Sequence, residues 1–261
     1  MKTERINEYV TRHTLPYKDI FTTVYTVKTE GGYLLFDTAS YDADVDDGIL
    51  PALDALGITE ENLKYIFISH NHRDHAGGLG RLFSYFPNTT VLSRSPALAE
   101  KYPQAKIHAP EDGEALDAYL SVVTIPGHTA DAAAIYDKRT QMMLTGDALQ
   151  LYGIFGSGEW GSNIRLPKEH LDAINKLKTM DIESIYTAHD YHPYGHRYLG
   201  KEAVENALDA CARPLLTIQK IIESNPTLSD EEITAKYQHS VTIPTVGEHV
   251  IAAVREQLVG K

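Results

Sequence analysis

Residues 70–75 read His70-Asn71-His72-Arg73-Asp74-His75, directly after the apolar run Tyr65-Ile66-Phe67-Ile68-Ser69. This places three imidazoles and a carboxylate in the turn where a buried strand is predicted to stop. A side chain in such a turn can grip a metal and still meet a substrate. Neutral histidine is a good ligand for zinc, manganese or iron, and aspartate adds charge or a bridging oxygen, so the segment can hold one or two divalent cations. The competing reading, a solvated polar turn, loses weight when three histidines stand this close together.

Working outward along the chain finds partners. His128 in Pro126-Gly127-His128-Thr129, Asp147 in Thr145-Gly146-Asp147-Ala148 and His189 in Thr187-Ala188-His189-Asp190 each lie just beyond a predicted strand end. A lone histidine after a strand is more often packed or on the surface. Ligand-bearing segments repeated at one kind of position point instead to a shared edge.

The elements between them alternate. Residues 20–27 and 33–37, either side of Gly31-Gly32, predict a hairpin, and Ile49, Leu50, Leu53 and Leu56 predict a helix over 45–56 that stops at Gly57. Strands are expected at 64–69 and 90–92, with a helix begun near Gly78. Residues 120–125, 132–136 and 141–145 predict three strands joined by tight turns; Pro167 opens a helix, and a short strand at 184–187 precedes the loop holding His189. From about Leu199 the pattern is helical alone, over 202–224, 229–237 and 246–259, with Ser229-Asp230-Glu231-Glu232 forming a capping box. The expected division is a catalytic domain at 1–197 and a helical segment at 198–261 that covers the core or walls a pocket.

Composition narrows the function classes. With 261 residues and 43% hydrophobic content the chain can bury a full core. A formal net charge of −12 argues against nucleic acid, whose binding relies on lysine and arginine displacing counterions. The N-terminus lacks an apolar signal-like region, no window approaches a membrane span of ~18 apolar residues, and the single Cys211 excludes an intramolecular disulfide. A cytoplasmic protein acting on a small molecule, with no membrane partner, is the expectation; the oligomeric state is left open. His13, His108, His170, His196, His239 and His249 read as surface or packing residues.

With these residues in hand, the sequence resembles the metallo-β-lactamase superfamily. The resemblance is carried by Asp37 in Phe36-Asp37-Thr38, the run at 70–75 as HxHxDH, His128 in GHT, Asp147 in GD, and His189, over about residues 18–197. It implies an α/β protein of αβ/βα four-layer sandwich architecture, two mixed sheets face to face with metals at one edge, extended by C-terminal helices. It assigns one metal to His70, His72 and His128 and the other to Asp74, His75 and His189, with Asp147 bridging. Two zinc ions are the first choice for so His-rich and thiolate-free a set, with iron and manganese competing through availability. The implied activity is dinuclear metal-dependent hydrolysis of a small ester, lactone or thioester by a hydroxide shared between the metals. Asp74 would also orient that hydroxide, and Asp37 would hold the ligand loop without being a ligand.

Within the family the spacing is most similar to glyoxalase II and the acyl-homoserine lactone lactonases. Gly146-Asp147-Ala148-Leu149, Gly153 and Tyr191 match the first, but Ile154-Phe155-Gly156 replaces its basic residue, and of its C-terminal Arg and Lys pair only Arg255 and Lys261 stand nearby. Gln150 stands where the lactonases carry tyrosine, with Tyr152 two positions on. Candidate pocket residues are Tyr152, Phe155 and Trp160 in the glycine-rich loop, and Tyr191 and Tyr194, whose hydroxyls could donate to an oxyanion. The alternatives are a phosphodiesterase on the same site, a mononuclear iron thiol dioxygenase, and a binding protein without catalysis; His72 and the short chain oppose a diiron flavoprotein.

Overall fold

Successive side chains point to opposite faces of a strand, and because the central strands are apolar on both faces each sheet is buried from two sides, which builds the layers. The computed structural model describes residues 1–151, 161–191, 194–241 and 246–260. A seven-stranded sheet runs in chain order through β1 (Lys2–Arg5), β2 (Val10–Tyr17), β3 (Ile20–Thr29), β4 (Gly32–Phe36), β5 (Leu63–Phe67), β6 (Thr90–Leu92) and β7 (Ile107–His108). Its pairs are antiparallel as far as β4 and parallel from there on. The second sheet, from its edge, is β12 (Gly195–Leu199), β11 (Ser184–Tyr191), β10 (Met142–Leu144), β9 (Ala133–Asp137) and β8 (Leu120–Thr124), with only β10 and β11 parallel.

Parallel neighbours need crossovers, and helices supply them. Between β4 and β5 run α1 (Asp42–Asp44), a wider turn at Val45–Ile49 and α2 (Leu50–Ala55). Between β5 and β6 lie α3 (Arg73–Ala76) and α4 (Leu79–Leu82), between β6 and β7 lies α5 (Pro96–Lys101), and between β10 and β11 lies α6 (Pro167–Lys178). Leu34, Phe36 and Phe67 of the first sheet meet Val122, Ile135 and Leu144 of the second in an apolar interior. Their strand neighbours Leu35 and Ile66 face outward onto Val45, Leu53 and Leu79. On the far side Val123, Met143 and Ile185 pack against Ile174 and Leu177 of α6 and against Val204, Leu208 and Cys211 of α7 (Lys201–Ser224). The order helix, sheet, sheet, helix is the αβ/βα sandwich.

The later turns of α7 leave this core and build another. Leu215, Ile218 and Ile222 pack on Ile233 and Tyr237 of α8 (Asp230–Ser240) and on Val250, Ile251 and Val254 of α9 (Glu248–Val254). Ser229 caps α8 as expected, its Oγ accepting from Glu232 N at 3.2 Å while Ser229 N donates to the Glu232 carboxylate at 2.8 Å. Among the described residues no helix is long and apolar enough to cross a membrane.

The fold departs from the predicted elements at several points. Strands β1 and β2 escape the hydrophobic pattern because polar residues fill much of them, the buried Arg12 pairing with the half-buried Glu4 at 2.8 Å. The strand predicted to end at 187 continues to Tyr191, so His189 lies within β11 and not in a loop after it. Its partner β12 was not predicted, and it spans the boundary expected after residue 197. The connection from β8 to β9 is longer than a tight turn and carries His128. Leu34→Ala, which removes a fully buried side chain between the sheets, is expected to cost about 2–5 kcal/mol. A urea midpoint that falls with unchanged slope would show this; an unmoved midpoint would contradict the inter-sheet core.

Candidate metal centre

The loop after β4 clasps the loop after β5. Asp37, with φ +62° and no exposure, accepts hydrogen bonds from Ser69 N at 2.7 Å and Ser69 Oγ at 2.9 Å, and faces His75 Nδ1 at 2.7 Å. Thr38 adds its amide and hydroxyl on the carbonyl of His75, at 2.7 and 2.9 Å. Burial pushes the Asp37 carboxyl up, while His75 and the Ser69 donors pull it back. His72 is the extended residue at the N-cap of α3, so Asp74 and His75 fall in the first turn of that helix.

The second sheet delivers the other ligands to the same edge. Gly146, before Asp147, has φ +55°, and a Cβ there would lie 2.4 Å from Ser69 Oγ. Gly127, before His128, presses on the ring of His170, where a Cβ would meet Nδ1 at 2.5 Å. Glycine at both motif positions therefore reflects close approach as well as backbone conformation. His128 Nδ1 lies 2.7 Å from the carbonyl of Asn163, and His189 Nδ1 lies 2.6 Å from the carbonyl of Phe21. Together with His75 on Asp37, these contacts place N–H at Nδ1 and turn Nε2 inward, where it can ligate a cation once it carries no proton.

The ligand atoms form two groups, His70, His72, His128 and Asp147, and Asp74, His75, Asp147 and His189, with the atoms of each group within 4.8 Å of one another. Asp147 belongs to both. His189 Nε2 stands 3.1 Å from Asp74 Oδ2 and 3.1 Å from Asp147 Oδ1, and His75 Nε2 stands 3.4 and 3.5 Å from the same two carboxylates. His128 Nε2 and His72 Nδ1 approach to 3.0 Å. Among the described residues, Nε2 of His70 is buried without a hydrogen bond, a costly arrangement that a cation would relieve.

Electrostatics separate the two groups. Burial lowers the pKa of His70, and takes His128 to about 4, so both are neutral at pH 7, as metal ligation requires. Burial opposes charge on His75 and His189 too, yet Asp147 and Asp74 outweigh it, raising His75 and taking His189 to about 10. The second group thus calls for positive charge at its centre. A divalent cation held there would supply that charge in place of protons. These donors, all nitrogen and oxygen, fit two divalent cations.

The family described as "Metallo-beta-lactamase superfamily" matches residues 17–189. The chain belongs to that superfamily. Among relatives of this metallo-β-lactamase-fold hydrolase, a hydroxyacylglutathione hydrolase of Methylobacillus flagellatus is 28% identical over 230 residues, covering 80% of this chain and 84% of that protein. Another, of Thermosynechococcus vestitus, is 31% identical over 168 residues, covering 61% of this chain and 63% of its own length. A metallo-beta-lactamase family protein from Thermus thermophilus shares the fold with a TM-score of 0.66 at 19% identity, covering 97% of this chain and 93% of that one.

A cavity of about 340 Å³ opens onto the ligands of this superfamily member and is also lined by Tyr17, Ile20, Gln150, Asn163 and Arg165. Tyr191 is not on its wall. The side chain is fully buried, and its hydroxyl accepts from Gln150 Nε2 at 3.2 Å. Tyr194 is half-buried, and its hydroxyl accepts from Arg213 at 3.1 Å. Tyr152, Phe155 and Trp160 lie outside the described residues. Gln150, which replaces the lactonase tyrosine, braces three segments: it donates to the Asp147 carbonyl and the Tyr191 hydroxyl and accepts from Asn163 N at 2.9 Å. Sequence reasoning missed this brace because one of its partners is a backbone amide and another a backbone carbonyl. Asp37→Asn keeps the size but offers Ser69 and His75 one good acceptor where the carboxylate offers two. Affinity for the second metal should fall ~10–100-fold, measured by competition with a chromogenic chelator. Unchanged affinity at both sites would show that Asp37 does not hold the ligand loop.

Proposed function

We propose that this chain is a dinuclear metal-dependent hydrolase of small acyl thioesters or esters. The observation that carries the reading is Asp147, whose carboxylate belongs to both ligand groups and so joins them into one centre. His70, His72 and His128 would hold one cation and Asp74, His75 and His189 the other. Zinc is the first choice for these nitrogen and oxygen donors, ahead of iron and manganese. Cations bound there supply Lewis acidity for an acyl oxygen and bring the pKa of water toward neutrality.

The chain's own residues divide the remaining work. Burial works against charge on Asp74, but His75 and His189 hold its carboxyl well below the usual range, so it is ionised and only accepts hydrogen bonds. It can therefore orient an attacking water without competing to donate. Tyr17 lines the cavity and stacks near His189, ring centres 6.4 Å apart. Burial raises its pKa, so at neutral pH the hydroxyl keeps its proton and can donate where charge develops on the acyl oxygen. This role passes to Tyr17 from Tyr191, whose burial removes it from the cavity.

Relatives named for hydrolysis of hydroxyacylglutathione favour an acyl substrate over a phosphodiester, as does the net charge of −12. The glutathione portion is not part of the proposal, because the basic residues expected for it are replaced. Protein purified without added metal should carry two divalent cations per chain. Within a panel of thioesters, esters, lactones and phosphodiesters it should hydrolyse the acyl compounds, losing activity to a chelator and regaining it with zinc. Asp147→Ala should lower kcat by at least ~100-fold and reduce metal content. One iron per chain with oxygen consumption would overturn the hydrolase reading, and an Asp147→Ala protein with full metal and turnover would overturn the site.

A further inference from the structure

Two arginines of this acidic chain stand apart. Every other arginine donates a hydrogen bond from its side chain, most of them to carboxylates. Among the described residues, Arg73 and Arg165 have no side-chain hydrogen bond or ion pair, and both line the metal cavity. The two observations coincide at one place. A guanidinium offers donors in a planar fork that matches a carboxylate, and it is charged at any physiological pH.

Arg165 is held in place by its own segment. Its amide and that of Leu166 donate to the Gly127 carbonyl at 2.8 and 2.9 Å, tying it to the turn that carries His128. The preceding Ile164 is fully buried among the C-terminal helices, and Asn163 meets His128. An exposed side chain on so constrained a backbone faces the cavity with little freedom at its root. His249, whose pKa is lowered by burial and by the charge of Arg165, adds no second cation at neutral pH.

Arg73 is the lesser partner. It follows ligand His72 in sequence, lies over the Tyr41 ring at 4.4 Å, and also lines the adjoining cleft of about 790 Å³ beside Tyr41 and Lys101. Its charge is shared between the two spaces, whereas Arg165 lines only the metal cavity of the two.

Resting on the hydrolase reading, we infer that Arg165, assisted by Arg73, binds a carboxylate of the substrate, so the preferred acyl thioester or ester carries a free carboxylate. The substrate would place its reacting carbonyl at the ligand groups and its carboxylate on Arg165 within the same cavity. This recognition uses neither the basic residue missing after Gly153 nor the missing C-terminal pair.

A matched pair of thiols tests the inference without turnover. Zinc-loaded protein is titrated calorimetrically with 3-mercaptopropionate and with 3-mercapto-1-propanol, which share a thiol and differ in the carboxylate. The wild type should prefer the acid by tenfold or more, since a charge-assisted pair is worth about that factor. In Arg165→Gln the ratio should collapse toward one, Arg165→Lys should keep part of it, and Arg73→Gln should reduce it less than Arg165→Gln does. A wild-type ratio near one, or a ratio that survives Arg165→Gln, overturns the inference. The same pairing in substrates compares the N-acetylcysteamine monothioester of succinate with that of butyrate, and the succinyl compound should have the higher kcat/KM. Preference for the acid thiol with no hydrolysis of any ester or thioester refutes the hydrolase reading and leaves the anion site standing. Equal hydrolysis of both thioesters with no thiol preference does the reverse.

Discussion

A carboxylate without access to water governs the metal edge. Asp37 is fully buried, and an unpaired charge there would cost several kcal/mol. It is tolerated because Ser69 and His75 meet both of its oxygens. The requirement acts in both directions: the ligand loop orients one of its histidines on Asp37, and Asp37 keeps its left-handed backbone only while the loop is there. Ser69 Oγ also leaves no room for a side chain at Gly146, so the same cluster sets how closely the Asp147 turn approaches. One buried charge thus couples β4, β5 and β10 before any cation binds.

Neither sheet holds a metal group by itself. The first contributes His70, His72, Asp74 and His75, the second contributes His128, Asp147 and His189, and each ligand group draws on both. The sheets are locked at this edge by side chains of β3 reaching carbonyls of β11: Tyr25 on Thr187 at 3.3 Å and Thr23 on Ala188 at 3.3 Å. Cation binding and docking of the sheets are therefore linked, and metal that binds only the folded state stabilises the sandwich by mass action. The carboxylates Asp74 and Asp147, with His75 and His189 raised around them, store the demand for that charge in the second group.

The residues of the two candidate ligand groups were legible in the sequence because metal-binding chemistry restricts residue type, and so were the strands on either side of the apolar interior, which read as short continuous apolar runs because both of their faces are covered. Strands β1 and β2 were not, because polar residues fill much of them and Arg12 of β2 is buried only through its pairing with the half-buried Glu4 of the edge strand β1. Tyr191 illustrates a different limit. Two residues beyond His189 in a regular strand it would share the face of the ligand and reach the cavity. The pairing of β11 with β12 shifts register between Tyr186 and Tyr191, and the tyrosine turns into the core behind Gln150. A register shift of this kind leaves no mark on composition. The backbone carbonyls that orient His128 and His189 are equally anonymous, since any residue could supply them.

The C-terminal helices carry no ligand, yet they bear on the site through one short segment. Asn163 stands at the junction: its carbonyl fixes His128, its amide rests on Gln150, and its side-chain oxygen meets His249 Nε2 of α9 at 2.9 Å. Ile164 next to it is buried in the core those helices build, while Arg165 and Leu166 return to the Gly127 turn. The segment is pinned by helix packing on one side and by the ligand turn on the other. Its conformation is therefore set by both cores at once. A change in how α9 seats would reach His128 through a single carbonyl, and the cavity wall through Arg165. The helical extension shapes the site by holding the strip that connects ligand to pocket.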